Sequence, residues 1–205
     1  ETPFIPGERG IADPGRIEPL PRQMFKLGPV SILPKWDEEV MYDSNVFLTE
    51  DDEEDDFILR SRFALLADWE IGSTGHRVSA GYDMLRNWFM GGEAKRFVEQ
   101  LASAQLELNF RHVRATVGDR YEDRTDPILA VFTQKVQRRL NTLYGTLGWY
   151  DDTDYFEAKG QGVNTKYDDF NFEQFDRDER FAHLEYGWRQ QDDLWIFLRA
   201  GVVDR

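Results

Sequence analysis

The chain has 205 residues, 40% hydrophobic and 31% charged, a balance within the globular range that leaves one or two domains open. Its formal net charge is −14, with 39 acidic against 25 basic residues and no Lys/Arg cluster to neutralise phosphates, so a nucleic-acid surface is excluded. It has no cysteine, which removes disulfides, zinc–thiolate sites and thiol nucleophiles together and suits a reducing or an oxidising compartment, and its histidines are His76, His112 and His183.

Residues 1–28 hold five of the eight prolines and neither helical nor strand periodicity, so the first segment reads as a Pro-rich extended tether. From Pro29 the pattern becomes strict alternation. Ile32, Trp36, Val40 and Tyr42 share one parity, and Phe57, Leu59, Phe63, Leu65, Ala67 and Trp69 share another with Arg60, Arg62, Asp68 and Glu70 interleaved. Val78 to Met84 and Ala102 to Phe110 alternate in the same way. A period of two means strands with one apolar and one polar face. The longest uncharged stretch, Leu140 to Tyr150, has eleven residues, about half of what a membrane-spanning helix needs.

The pattern predicts about nine long strands, near 30–42, 57–70, 76–89, 98–110, 112–122, 133–150, 155–167, 180–189 and 194–204. Tight connections at Gly72-Ser73-Thr74-Gly75, Arg111-His112, Asp151 to Asp154 and Gln190 to Asp193 alternate with longer charged ones at 43–56, 90–97, 122–132 and 168–180. Short turns at one end and long loops at the other are the arrangement of an up-and-down barrel in an outer membrane. Strand length agrees, since a tilted membrane-crossing strand needs about nine to eleven residues and strands of soluble domains have about five or six. A propeller would place four short strands in each forty-residue period, and neither these nor a recurring Trp-Asp signature is found.

In such a barrel the apolar parity faces lipid and the polar parity a wet lumen. The lumen-facing candidates are Arg60, Arg62, Arg77, Asp83, Glu107, Arg111, Arg114, Arg120, His183, Glu185 and Arg199, more charge than a small closed core can hold. They could steer an anionic polysaccharide, or bridge to neighbouring acids across strands. Trp36, Trp69, Trp88, Trp149 and Trp188 are expected near strand ends, where amphipathic rings settle at an interface. From Leu140 to Tyr150 and from Tyr155 to Val163 either parity could face outward, because Leu140 and Tyr144 compete with Leu143, Leu147 and Trp149, and Gly160 and Gly162 carry no signal.

Three stretches, "YDSNVFLT…DDFI" from Tyr42, "GHRVSAGYD" with "FRHVRATVGDRYED", and "YDDFNFEQFDRDERFAHLEYGWRQQDDLWIFLRAGVVDR" from Tyr167, resemble the outer-membrane β-barrel porins of the BBP2 type. The resemblance covers most of the chain after residue 29 and implies a Gram-negative envelope location, association with exopolysaccharide or surface-polymer systems, and no catalytic residues. It departs in one respect: nine strands are odd, whereas bacterial barrels have an even number. The expectation is therefore an incomplete part of a larger barrel, with residues 29–205 as its strands.

No Gly-rich phosphate loop, zinc motif, nucleophile elbow or complete EF-hand spacing is present, and no enzyme activity is expected. The carboxylate pairs Asp151/Asp152 and Asp168/Asp169 have the composition of a glycosidase acid and base but no sign of a cleft. Asp43, Asn45, Glu50, Asp51 and Asp52 are candidate calcium ligands, hard oxygens on one connection; the alternative is a loop kept soluble by its charge. No other cofactor is expected. The functional expectation is an outer-membrane conduit or docking wall for a surface polymer or secretion machinery. Its partners would be membrane lipid, envelope proteins reached through residues 1–28, and an anionic polysaccharide. The alternatives are a structural barrel that anchors an envelope complex without transport, and a soluble acidic all-β binding module.

Overall fold

The computed structural model describes residues 25–44, 55–73, 75–91, 97–127, 135–168, 170–191 and 194–204. They form one antiparallel sheet in which every strand pairs with its sequence neighbours, in the order β1 to β10. The strands are β1 (Phe25–Leu27), β2 (Val30–Asp43), β3 (Asp56–Ile71), β4 (His76–Phe89), β5 (Phe97–Asn109), β6 (Val113–Pro127), β7 (Lys135–Tyr150), β8 (Asp154–Tyr167), β9 (Arg177–Gln191) and β10 (Leu194–Asp204). A 3₁₀ turn, Phe170–Phe175, sits between β8 and β9. Among the described residues no helix is long and apolar enough to cross a membrane, a test that does not bear on strands.

The nine long strands are those expected from alternation, but β6 runs longer, β9 spans Arg177–Gln191 where 180–189 was expected, and a short strand precedes them. β6 runs to Pro127 where alternation ended near residue 122, because Asp123 to Pro127 are polar on both parities but still pair with Lys135 to Arg139. β1 precedes β2 and pairs Phe25 with Ile32 and Leu27 with Val30. Three residues are too few for alternation to register, and they make the count ten and even. β1 and β10 are not hydrogen-bonded to each other, so the sheet is not closed among the described residues.

Gly72 and Gly75 adopt φ of 64° and 75° in the β3–β4 turn, the left-handed region that costs glycine little. The β5–β6 turn is tied by the Phe110 N–H donating to the Val113 carbonyl at 2.8 Å, and the β7–β8 turn by Asp151 N–H donating to the Asp154 carbonyl at 2.8 Å.

The registers advance steadily. Ile32, Ala67, Ala80, Ala104, Asp119, Leu143, Gly162, Arg180 and Asp204 form one row across β2 to β10. Along that row the members lie two residues beyond the start of β2, four beyond that of β4, six beyond β6, eight beyond β8 and ten beyond β10. The line of short turns therefore drops by one residue per strand. One residue is about 3.3 Å and strand spacing about 4.8 Å, so the strands lean about 35° from the normal to that line, at the lower edge of the tilt of transmembrane barrels.

The sheet's two faces are inverted relative to a soluble fold. Ile58, Ala64, Ser79, Gln105, Glu122, Thr142 and Thr165 are buried, and register places all of them on the face shared with Arg60 and Arg62. The other face holds exposed apolar side chains, among them Trp36, Leu65, Val117, Leu147, Leu184 and Val202. Among the described residues no second layer covers the long strands, the 3₁₀ turn against β8 apart, so this face is buried by the sheet curling toward it. The polar face is the inside of the curve.

Candidate functional site: a polar inner face under an apolar outer band

Ten of the eleven predicted lumen residues lie on the inner face. Arg60 donates from Nε to Asn87 Oδ1 at 3.2 Å and from Nη1 to Glu39 Oε2 at 3.4 Å. Arg62 grips Asp83, with Nε 3.0 Å from each carboxylate oxygen. Arg77 binds Asp68, which also accepts the Ser79 hydroxyl at 2.8 Å. Arg120 Nε is 2.6 Å and Arg124 Nε 2.9 Å from the Glu122 carboxylate, and the Arg114 guanidinium lies 5.3 Å from the Tyr150 ring centroid. Glu107 accepts from Gln105 Nε2, whose own Oε1 accepts the Tyr144 hydroxyl at 2.8 Å. Glu185 accepts the Tyr155 hydroxyl, is 2.5 Å from Arg199 Nε, and has His183 Nε2 at 3.6 Å. Arg111 is the exception: it lies in the exposed β5–β6 turn, outside any strand.

The cross-strand bridging foreseen for the arginines is present at Arg60, Arg62, Arg77 and Arg199, whereas Arg120 pairs with Glu122 along its own strand. Asp68 stood on the polar parity of its strand, whereas Glu122, Glu157, Tyr144, Tyr150 and Tyr155 are inner-face residues that alternation did not single out. Their signal was pairing register: Glu157 lies directly opposite Glu185, and Gly118 opposite Tyr144. The ambiguous stretch is resolved by the same register. Leu143, Leu147 and Trp149 are outward and exposed, and Leu140, Tyr144, Tyr155 and Glu157 inward.

Toward the long-loop end, the inner face of β2 to β6 forms a cleft of about 410 Å³ lined by Glu39, Arg60, Arg62, Asp83, Glu99 and Arg124. Acids and guanidinium groups alternate along it, so it offers donors and acceptors together and no large field of one sign.

On the outer face the apolar residues form a band of nearly constant height. Counting from the short-turn end, polar residues close the band at Glu38, eight residues beyond the start of β2, and at Arg86, Asp123, Asn164 and Asp204, each ten beyond the starts of β4, β6, β8 and β10; on β2 and β3 apolar residues return above that line at Val40, Tyr42, Leu59 and Phe57. About nine residues at a 35° lean make a band about 24 Å high. Asp119, exposed and six residues beyond the start of β6, is the charged residue inside it. Trp69, Trp149 and Trp188 mark its lower margin on β3, β7 and β9; Trp88 stands above its upper margin, with the Arg86 guanidinium 3.6 Å from its ring centroid. Trp36 departs from its expected place at a strand end and lies mid-band, opposite Phe63.

Of the calcium candidates, Asp43 ends β2 opposite Asp56, whereas Asn45, Glu50, Asp51 and Asp52 lie outside the described residues, as does most of the 1–28 tether. Among the described residues no group of three or more His, Asp or Glu is arranged to hold a metal. Asp151 and Asp152 are exposed in the β7–β8 turn, Asp168 is held by Arg139, and Asp169 lies outside the described residues. No protein-family model, curated protein or solved structure matches this chain.

Proposed function

We propose that this chain forms wall of a β-barrel in a bacterial outer membrane, serving as a conduit or docking wall for a surface polymer or secretion machinery, without enzymatic activity. The observation that carries the reading is the outer apolar band. It keeps one height of about 24 Å only when strand tilt is included, and that height is close to the apolar belt of about 25 Å on outer-membrane barrels. A soluble sheet has no reason to expose such a belt and gather its charges on the opposite face. The resemblance to BBP2-type porins agrees with it.

Single cysteines introduced into the cysteine-free chain test the location. Leu65→Cys and Leu147→Cys are expected to resist a water-soluble maleimide in vesicles and to react after detergent is added, whereas Asn164→Cys reacts in both. Labelling of all three in vesicles would count against insertion. For the role, reconstituted protein is expected to pass small solutes across a bilayer. A second reading, a barrel that anchors an envelope complex without conducting, is favoured by the interlocked inner face, where Gln105, Glu122, Thr142 and Thr165 are buried. A folded, inserted protein with no conductance selects it.

A further inference from the structure

The inner face changes character toward its short-turn end. The cleft near the long loops is lined by charged side chains and leucines, with no aromatic ring. At the opposite end, on β7 to β10, aromatic rings pave the face. Tyr150 closes β7, Tyr155 is the second residue of β8, and Phe197 is the fourth of β10. The two tyrosine rings are near parallel, 6.1 Å apart between centroids and 20° between planes, and Phe197 follows at 6.2 Å from Tyr155. Glycines set their orientation. Ring atoms of Tyr150 and Tyr155 occupy the places where Cβ atoms on Gly148 and Gly187 would stand, so both rings lie down along the wall instead of rising from it. Their hydroxyls are tied at the rim, Tyr150 to Glu157 at 3.0 Å and Tyr155 to Glu185. Both side chains are half-buried, held by the wall and still partly open to solvent.

The charges beside the rings come in pairs. Lys159 is 2.7 Å from Glu157, and Arg199 2.5 Å from Glu185. Each pair offers donors and acceptors without adding net charge. Arg114 is a further cation, its guanidinium 5.3 Å from the Tyr150 centroid. A ligand matched to this surface has a flat apolar face and hydroxyl groups around its edge. A pyranose ring is such a body: the axial C–H bonds of one face meet the electron-rich face of an aromatic ring, and its hydroxyls both donate and accept. We propose that Tyr150, Tyr155 and Phe197 form a saccharide-binding platform, on which pyranose units of an uncharged polymer stack while Glu157, Lys159, Glu185 and Arg199 bind their hydroxyls. The ring-to-ring spacing of 6.1 to 6.2 Å is close to the length of one pyranose unit, so successive units meet successive rings. An uncharged polymer, in place of the anionic one foreseen from the sequence, follows from the pairing, because Lys159 and Arg199 already neutralise the acids beside the rings. The polymeric nature of the ligand rests on the docking-wall reading above; the ring geometry alone gives a site for sugar.

Saturation-transfer NMR on the full-length protein in phosphocholine micelles, which carry no sugar, tests the proposal with cellohexaose, maltohexaose and hexagalacturonate as probes. A neutral hexasaccharide is expected to bind, with saturation strongest at its ring C–H protons. Tyr150→Leu and Tyr155→Leu keep an apolar cover over the glycines and remove the aromatic face; each is expected to raise Kd about five- to tenfold at equal folded fraction, read from protease resistance. Tyr155→Phe, which keeps the ring and loses the tie to Glu185, stays within about twofold of the unchanged protein. Failure of both neutral hexasaccharides to bind the folded protein overturns the proposal. So does a Kd that the two leucine variants leave unchanged. Binding of hexagalacturonate alone, lost in Arg114→Gln, also overturns it and assigns the surface to an acidic polymer. None of these readings needs conductance, and the maleimide labelling reports insertion separately, so failure of the platform and failure of the membrane reading are told apart.

Discussion

The phenol ring of Tyr144 fills the space that a side chain at Gly118, its directly opposed partner on β6, would need. A Cβ built on Gly118 would overlap the ring, and the ring's hydroxyl reaches Gln105 one strand further on, at 2.8 Å. The same device recurs where Tyr155 covers its opposed Gly187, while Tyr150 covers Gly148 two residues back on its own strand. Aromatic cover of strand glycines pins register and lets an inner face hold large rings on a tight curve. Gly118→Ala is expected to cost about 1–3 kcal/mol through displacement of the ring. Urea unfolding in lipid vesicles measures it, and a double variant with Tyr144→Ala should cost less than the two single changes summed.

Glu157 and Glu185 are like charges placed directly opposite each other on β8 and β9. Such a pair is unfavourable unless each is compensated, and each is: Glu157 by Tyr150 at 3.0 Å and Lys159 at 2.7 Å, Glu185 by Tyr155 and Arg199. Arg199→Gln is expected to lower stability by roughly 1 kcal/mol, and by clearly less when Glu185→Gln is already present. Equal costs in the two backgrounds would show that the pair is not coupled.

Asp68 carries both Arg77 and Ser79 in the most enclosed ion pair of the inner face, with the Asp68 side chain 12% and Arg77 17% exposed. Asp68→Ala leaves a guanidinium and a buried hydroxyl without their acceptor, an expected loss of about 2–3 kcal/mol. Denaturant midpoints at fixed pH measure it, with Ser79→Ala as a milder control.

Asp119 is the charged residue within the outer band. If hydrocarbon covers that band, Asp119→Leu should stabilise the inserted protein by about 1–2 kcal/mol in vesicles and leave its conductance unchanged. A destabilised Asp119→Leu protein would show that the carboxylate is held by something other than lipid.

Alternation made the strands legible wherever one parity was apolar and the other charged, as in Phe57 to Trp69, because a period of two has one interpretation there. It went silent where both parities turned polar, at Asp123 to Pro127, and where small residues removed contrast, at Gly160 and Gly162. The inner-face charges were legible as a set, yet their pairings were not. Which acid meets which arginine depends on register, and the one-residue advance per strand is a property of neighbouring strands that no single segment encodes. Arg111 lies off the inner face because the alternating parity of β5, carried two residues past its end at Asn109, no longer holds there. β1 went unread because it borrows its register from β2.

The meander order has a kinetic consequence. Every ladder from β1 to β10 joins strands adjacent in sequence, so each hairpin can zip onto its predecessor with short loop closures and low contact order. A partly zipped sheet then carries its ion-pair ladders up to the last strand added, and the rate at which the next hairpin joins sets how long that strand's apolar edge stays exposed to other chains.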